Sequence, residues 1–206
     1  MKITKTEIPE VLLLEPDVFG DERGFFLETW SQARYAGLGI PETFVQDNVS
    51  RSSRGIVRGL HLQHPHGQGK LVQVLAGEVF DVAVDVRTDS PTFGQWVART
   101  LSGDDHRQLW IPPGFAHGFC VTSDSALFMY KCTVGYSRGS ELGVAWDDPD
   151  LAIPWPVTNP QLSAKDTAWS RLVDIPSARL PTCEAAQAGP AEVAATGWPL
   201  RLASGT

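Results

Sequence analysis

"KLVQVLAGEVFDVAVDVR", residues 70 to 87, sets the fold class. Val82, Val84 and Val86 alternate with Asp81, Ala83 and Asp85, and Gly77 interrupts two apolar runs, so the stretch has the period of two that strands impose. It reads as two strands joined by a tight turn. Working outward, further strands are expected at GFFLETW (24–30), GIVRGLHLQ (55–63), QWVARTL (95–101), QLWIP (108–112), HGFCVTS (117–123) and LFMYKCTVGY (127–136), each bounded by Gly, Pro, Asp or Ser. Helical candidates are few: SQARYAGLG (31–39) and a short piece after Ser163 in LSAKDTAWSRL. Many short strands with regular turns predict an all-β sandwich or barrel, and no repeat suggests a propeller or solenoid.

The 206 residues suffice for one sizeable core but are short for two full domains. A formal net charge of -7 disfavours nucleic acid and anionic membrane as partners, since both need a basic surface. The start, MKITKTEIPE, lacks the apolar run of a signal peptide, and no window reaches the roughly 18 apolar residues of a membrane span. A cytoplasmic protein with no membrane partner is expected. Cys120, Cys132 and Cys183 are odd in number and widely spaced, which fits free thiols rather than a disulfide framework or a zinc site. From about Pro176 the chain turns rich in Ala, Pro and Gly. The expected division is a principal domain over 1–175 and a tail over 176–206, flexible or draped on the surface, in which Trp198 and Leu200 offer local docking points.

RGLHLQHPHGQGK (58–70) concentrates the chemistry, holding His61, His64 and His66 and closing on Lys70. Imidazoles two apart on a strand share a face, so His64 and His66, joined by His117 of PPGFAHG, offer a three-nitrogen metal site. Against it, Pro65 and Gly67 break a strand, and a cation stands at Lys70 where a carboxylate ligand would be wanted. The alternative is one proton-moving histidine, His61, sharing a face with Gln63. Lys70, Tyr130, Lys131, Arg23 and Arg58 favour it: charged side chains on or beside strands suggest a lined cavity.

FGDERGFFLETW (19–30), FVQDN (44–48), SRSSRGIVRGLH (50–61), QGKLVQVLAGEVFDVAVDVR (68–87), SPTFGQW (90–96), RQLWIPPGFAHGF (107–119), WDDPDLAIPWP (146–156) and LSAKD (162–166) together resemble the dTDP-4-dehydrorhamnose 3,5-epimerase family, over about residues 2 to 175. The resemblance implies a cupin-type jelly roll working without metal or cofactor on a dTDP-sugar nucleotide. It also implies a homodimer whose N-terminal strands pair across the interface. Such an enzyme removes the proton beside a ketone, stabilises the enolate and reprotonates from the opposite face. By resemblance the base is His61, held by Asp166; the acid is Tyr130; and Lys70 sits at the keto oxygen. Arg23 and Arg58 are implied for the diphosphate, with Glu28, Gln46, Asn48, His117, Glu141 and Lys165 completing the pocket. Arg58 and His61 have opposite strand parity, so the scheme needs a bulge, for which Gly59 is the candidate.

The chain departs from the family pattern after YKCT, where VGY puts Gly135 in place of the first of two tyrosines and keeps Tyr136. That leaves inversion at both C3 and C5 as the expected activity and inversion at a single carbon as its rival. Val49, where a histidine is frequent, reads as tolerable; around Glu141 the sequence also diverges. Two further classes remain as alternatives: a metal-dependent cupin oxygenase or isomerase, and a sugar-nucleotide binding protein without catalysis.

Overall fold

The computed structural model describes residues 1–187. Two antiparallel sheets face each other. One orders its strands β1 (Lys2–Lys5), β2 (Leu12–Glu15), β10 (Gln108–Ile111), β7 (Lys70–Ala76), β12 (Ser125–Cys132) and β5 (Gln46–Ser53). The other runs β13 (Glu141–Gly143), β6 (Val57–Gln63), β11 (Phe115–Val121), β8 (Glu78–Asp85) and β9 (Trp96–Ser102). A separate ribbon pairs β3 (Val18–Asp21) with β4 (Gly24–Leu27). This is the all-β sandwich that the alternation predicts. The expected helix at 31–39 is α1 (Gln32–Gly37), and the piece after Ser163 is a single 3-10 turn, Asp166–Ala168.

One reading of the 70–87 stretch is corrected. β7 and β8 do not pair with each other: the chain passes at Gly77 from one sheet to the other, and each strand finds its partners elsewhere. The faces of β8 explain the composition. Val79 and Ala83 join Val72, Val74, Phe119 and Phe128 in the core between the sheets. Val82, Val84 and Val86 face outward, yet are buried by Leu142, Val144, Leu151, Leu172, Ile175 and Leu180 of the C-terminal segments. A strand covered on both sides carries apolar residues in both phases. Asp81 and Asp85, each 0 % exposed, therefore point inward. Asp85 is satisfied by Arg87, Ser90 and Thr92, the last two donating hydroxyls at 2.6 Å.

The bulge required at Gly59 is present. His61 pairs with His117 and Arg58 with Phe119, so Gly59 and Leu60 together oppose Gly118. Gly59 has φ +140, and a Cβ there would lie 2.5 Å from the Gly118 Cα. Only glycine fits such a crossing.

Past residue 175, a 3-10 turn (Ser177–Arg179) and α2 (Cys183–Gln187) follow, with Leu180 and Ala186 buried. Residues 188–206, with Trp198 and Leu200, lie outside the described residues.

Replacing Gly59 by alanine combines a strained φ with a backbone collision and is expected to cost about 2 kcal/mol or more. Gly139, with open space around it, is the control, expected within about 0.5 kcal/mol for G139A. Thermal unfolding of the two variants checks the contrast.

Candidate active site

The inner faces of both sheets open at one end into a cavity of about 400 Å³, the size of a small-molecule site. From the six-stranded sheet come Gln46, Asn48, Lys70 and Tyr130; from the five-stranded sheet come Arg58, His61, Gln63, His117 and Glu141. Lys165 reaches in from the loop before the 3-10 turn. Nine of the residues singled out in the sequence thus line a single cavity: Gln46, Asn48, Arg58, His61, Lys70, His117, Tyr130, Glu141 and Lys165.

Asp166 stands behind the wall, 4 % exposed, and accepts a hydrogen bond from His61 Nε2 at 2.5 Å. With Nε2 donating, a neutral imidazole keeps its lone pair on Nδ1, the nitrogen able to take a proton. Burial pulls the Asp166 carboxyl upward. The hydrogen bond and charge of His61, the Ser163 hydroxyl and Lys165 outweigh it and hold the group below its ordinary value, as an anion.

Lys70 is buried, and its Nζ donates to the His61 carbonyl oxygen at 3.2 Å, reaching from one sheet to the other. Burial lowers its pKa from the ordinary lysine value, offset in part by Cys132, Asp81 and Glu141. Tyr130 projects from the same sheet as Lys70, on the neighbouring strand. Burial, with Cys132 adding and Arg58 opposing, pushes its phenol up to about 12, so it stays protonated and able to donate at neutral pH. Base and acid candidates therefore stand on facing sheets, which pack about 10 Å apart.

His117 is buried and pairs across the ladder with His61, not with His64 or His66. Its Nε2 donates to Asp81 at 2.9 Å, so the cavity holds a second imidazole–carboxylate pair. Burial lowers His117 and raises Asp81, each partly countered by the other. Asp81 escaped the sequence reading because its alternation with valines resembles a solvated face; the signal was that valines on both phases imply burial on both.

Gln46 and Asn48 share the inner face, as their parity indicates, and Gln46 Nε2 donates to Asn48 Oδ1 at 2.9 Å. Gln46 also accepts from the Tyr136 backbone, and Gln63 accepts from Ser137 and donates to the Gly135 carbonyl. These contacts tie the 134–137 turn to the wall. Gly135 itself does not line the cavity; a side chain there would first meet Gln46 Oε1 at 3.8 Å. Tyr136, which sequence reasoning did not assign, lines the pocket and donates to Glu141, whose other oxygen holds Lys165.

Arg23 and Glu28 depart from the expected set. Within one chain neither lines the cavity: Arg23 sits on the exposed β3–β4 ribbon bound to Asp21, and Glu28 pairs with Arg34. Among the described residues, no group of three or more His, Cys, Asp or Glu is arranged to hold a metal ion, and no helix is long and apolar enough to cross a membrane.

Comparison with known proteins agrees with this architecture. The family model described as dTDP-4-dehydrorhamnose 3,5-epimerase matches residues 5–174. A dTDP-4-dehydrorhamnose 3,5-epimerase from Shigella flexneri is 56% identical over 176 residues, 84% of this chain and 97% of the relative. A dTDP-4-dehydrorhamnose 3-epimerase from Streptomyces niveus is 40% identical, covering 81% of each. The crystal structure of a dTDP-6-deoxy-D-glucose-3,5-epimerase from Legionella pneumophila Philadelphia 1, in complex with dTDP-4-keto-L-rhamnose, superposes with a TM-score of 0.86 at 55% identity, over 88% of this chain and 97% of that one.

The lowered pKa of Lys70 gives a pH signature. Its positive charge is complete below that pKa and is lost as pH rises through it, so activity that needs the ammonium fails on the alkaline side before the ordinary lysine value of about 10.4. Tyr130, at about 12, titrates later. A kcat–pH profile is expected to show that alkaline fall, and K70R, which stays charged, to move it upward if it retains turnover.

Proposed function

The chain belongs to the dTDP-4-dehydrorhamnose 3,5-epimerase family, and from that premise we propose how its residues divide the work of inversion. The sandwich is a cupin-type jelly roll. The protein is an isomerase that inverts C3 and C5 of dTDP-4-dehydro-6-deoxy-D-glucose to give dTDP-4-dehydro-L-rhamnose.

The observation that carries the assignment of roles is that His61 and Tyr130 enter one cavity from facing sheets, with Lys70 spanning between them. His61 Nδ1 takes the proton from the carbon beside the 4-keto group, and Asp166 stabilises the imidazolium that forms. The electrons move onto the keto oxygen, where the Lys70 ammonium offsets the enolate charge in a site screened from water. Tyr130 then donates from the opposite face of the ring, and the centre is inverted. Arg58 takes the diphosphate by paired, charge-assisted hydrogen bonds, and Gln46, Asn48, His117, Glu141 and Lys165 hold the rest of the nucleotide sugar. The epimerase domain is residues 1–175, with the segment from 176 appended to it. We place the enzyme in the cytoplasm.

The working unit in this reading is a homodimer. Val18, Phe19, Phe25 and Phe26 on the β3–β4 ribbon are 43%, 65%, 61% and 70% exposed, an apolar surface that a monomer has no use for. β5 lies at the edge of its sheet, where an added strand can pair. A ribbon laid against the partner's β5 covers both features and carries Arg23 and Glu28 to the partner's cavity.

H61A is expected to lose about a hundredfold to ten-thousandfold in kcat while still binding the nucleotide. Turnover in D2O, read by NMR, is expected to place deuterium at both C3 and C5; deuterium at one carbon alone would support single-centre inversion. R23A and H61A homodimers, each impaired, are expected to recover activity when unfolded and refolded together, because a mixed dimer has one site intact. No recovery would place Arg23 outside the partner's site.

A further inference from the structure

We infer that Trp169 is a positioning residue for the His61–Asp166 pair: its indole is the anchor that sets the 3-10 turn bearing Asp166 against β6. This rests on the roles given above to His61 and Asp166. The turn spans three residues, Asp166–Ala168, too short to stabilise itself through its own hydrogen bonds. From Ser163 to Ser170 every residue is exposed except Asp166 and Trp169. Asp166 is a charged group whose burial costs free energy, and its hydrogen bond to His61 and the neighbouring charges offset that cost without supplying apolar area. Beside the polar ties of Asp166 to His61 and of Lys165 to Glu141, Trp169 supplies the large apolar area that docking needs.

The fold leaves a place for it. Gly143 pairs with His61 across β13 and β6. A Cβ at Gly143 would fall inside the Trp169 indole, against Cε2, Cδ2 and Nε1, so the absence of a side chain there is what lets the ring lie on the strand. From that seat the indole presents an edge-on contact to the His61 imidazole, with centroids 6.4 Å apart and planes at 69°. Beyond it the Ser170 carbonyl accepts from the Ala145 backbone N–H at 2.8 Å, fixing the far end of the segment. The imidazole is thus bounded by Trp169 on one side and held by Asp166 at Nε2. The indole does not line the cavity, so the effect on substrate is through His61 alone.

The test compares W169A, D166N and the double variant by kcat, KM and the rate of deuterium wash-in from D2O. W169A is expected to lower kcat and wash-in about tenfold or more with KM within about twofold, and W169A placed on D166N to add no further loss, since both act through one pair. G143A, which denies the indole its seat, is expected to resemble W169A, and G143A/W169A to be no worse than W169A alone; these variants keep the test open should one fold poorly. A parent-like kcat in W169A, or losses that multiply on D166N, would overturn the inference. Full activity in D166N would instead overturn the catalytic reading on which it rests.

Discussion

Where β6 runs beside β11, Gly59 and Gly118 meet with no room for a Cβ on either, since one at Gly118 would lie 2.7 Å from the Arg58 carbonyl oxygen. That close approach accommodates an extra residue in β6 and shifts its pairing by one. The shift reverses the strand's parity, so Arg58 and His61, which a regular strand sends to opposite faces, both turn into the cavity. A phosphate ligand and a proton acceptor on one short segment depend on it. The remaining site residues need no such device, because Lys70, Tyr130, Gln46 and Asn48 share the inner face by ordinary alternation.

The cavity end of the sandwich gives up stability for chemistry. Lys70, Asp81, His117 and Asp166 are buried charged or titratable groups in positions that an apolar core would fill more favourably. Each is answered by a specific partner: Asp166 by His61, Asp81 by His117, Lys70 by a backbone carbonyl and nearby acidic groups. Away from these groups, Val74, Val79, Leu101, Val121 and their neighbours form a buried apolar cluster. The same two sheets thus provide a dry core that fixes strand positions and a polar mouth whose groups keep perturbed proton affinities. That is the combination a carbon acid needs: a base, an acid and a fixed charge that do not rearrange during transfer.

Much of this was legible in the sequence, and the exceptions have physical causes. Period-two patterning located β6 through β12 because each of those strands buries most of at least one face. β5, QDNVSRSS, is polar on both faces as an edge strand over the cavity, so it carried no hydrophobic period, although Gln46 and Asn48 still betrayed a shared side. β1 and β2 are short and lie at the opposite edge, below the length at which a period shows. Gly77 marked a break but not its kind: a hairpin and a passage between sheets need the same glycine, and only the distant partners of β7 and β8 distinguish them. Arg23 and Glu28 were assigned through family resemblance; within one chain they pair with Asp21 and Arg34, and neither lines the cavity.

The central claim is that one sugar ring lies between a base on one sheet and an acid on the other. A crystal structure with an unreactive dTDP-hexose analogue measures this directly. The account predicts His61 Nδ1 and the Tyr130 hydroxyl on opposite faces of one pyranose, with Lys70 Nζ within hydrogen-bond distance of the oxygen on C4. A sugar bound with both side chains on the same face, or with the ring outside the space between the sheets, would contradict it.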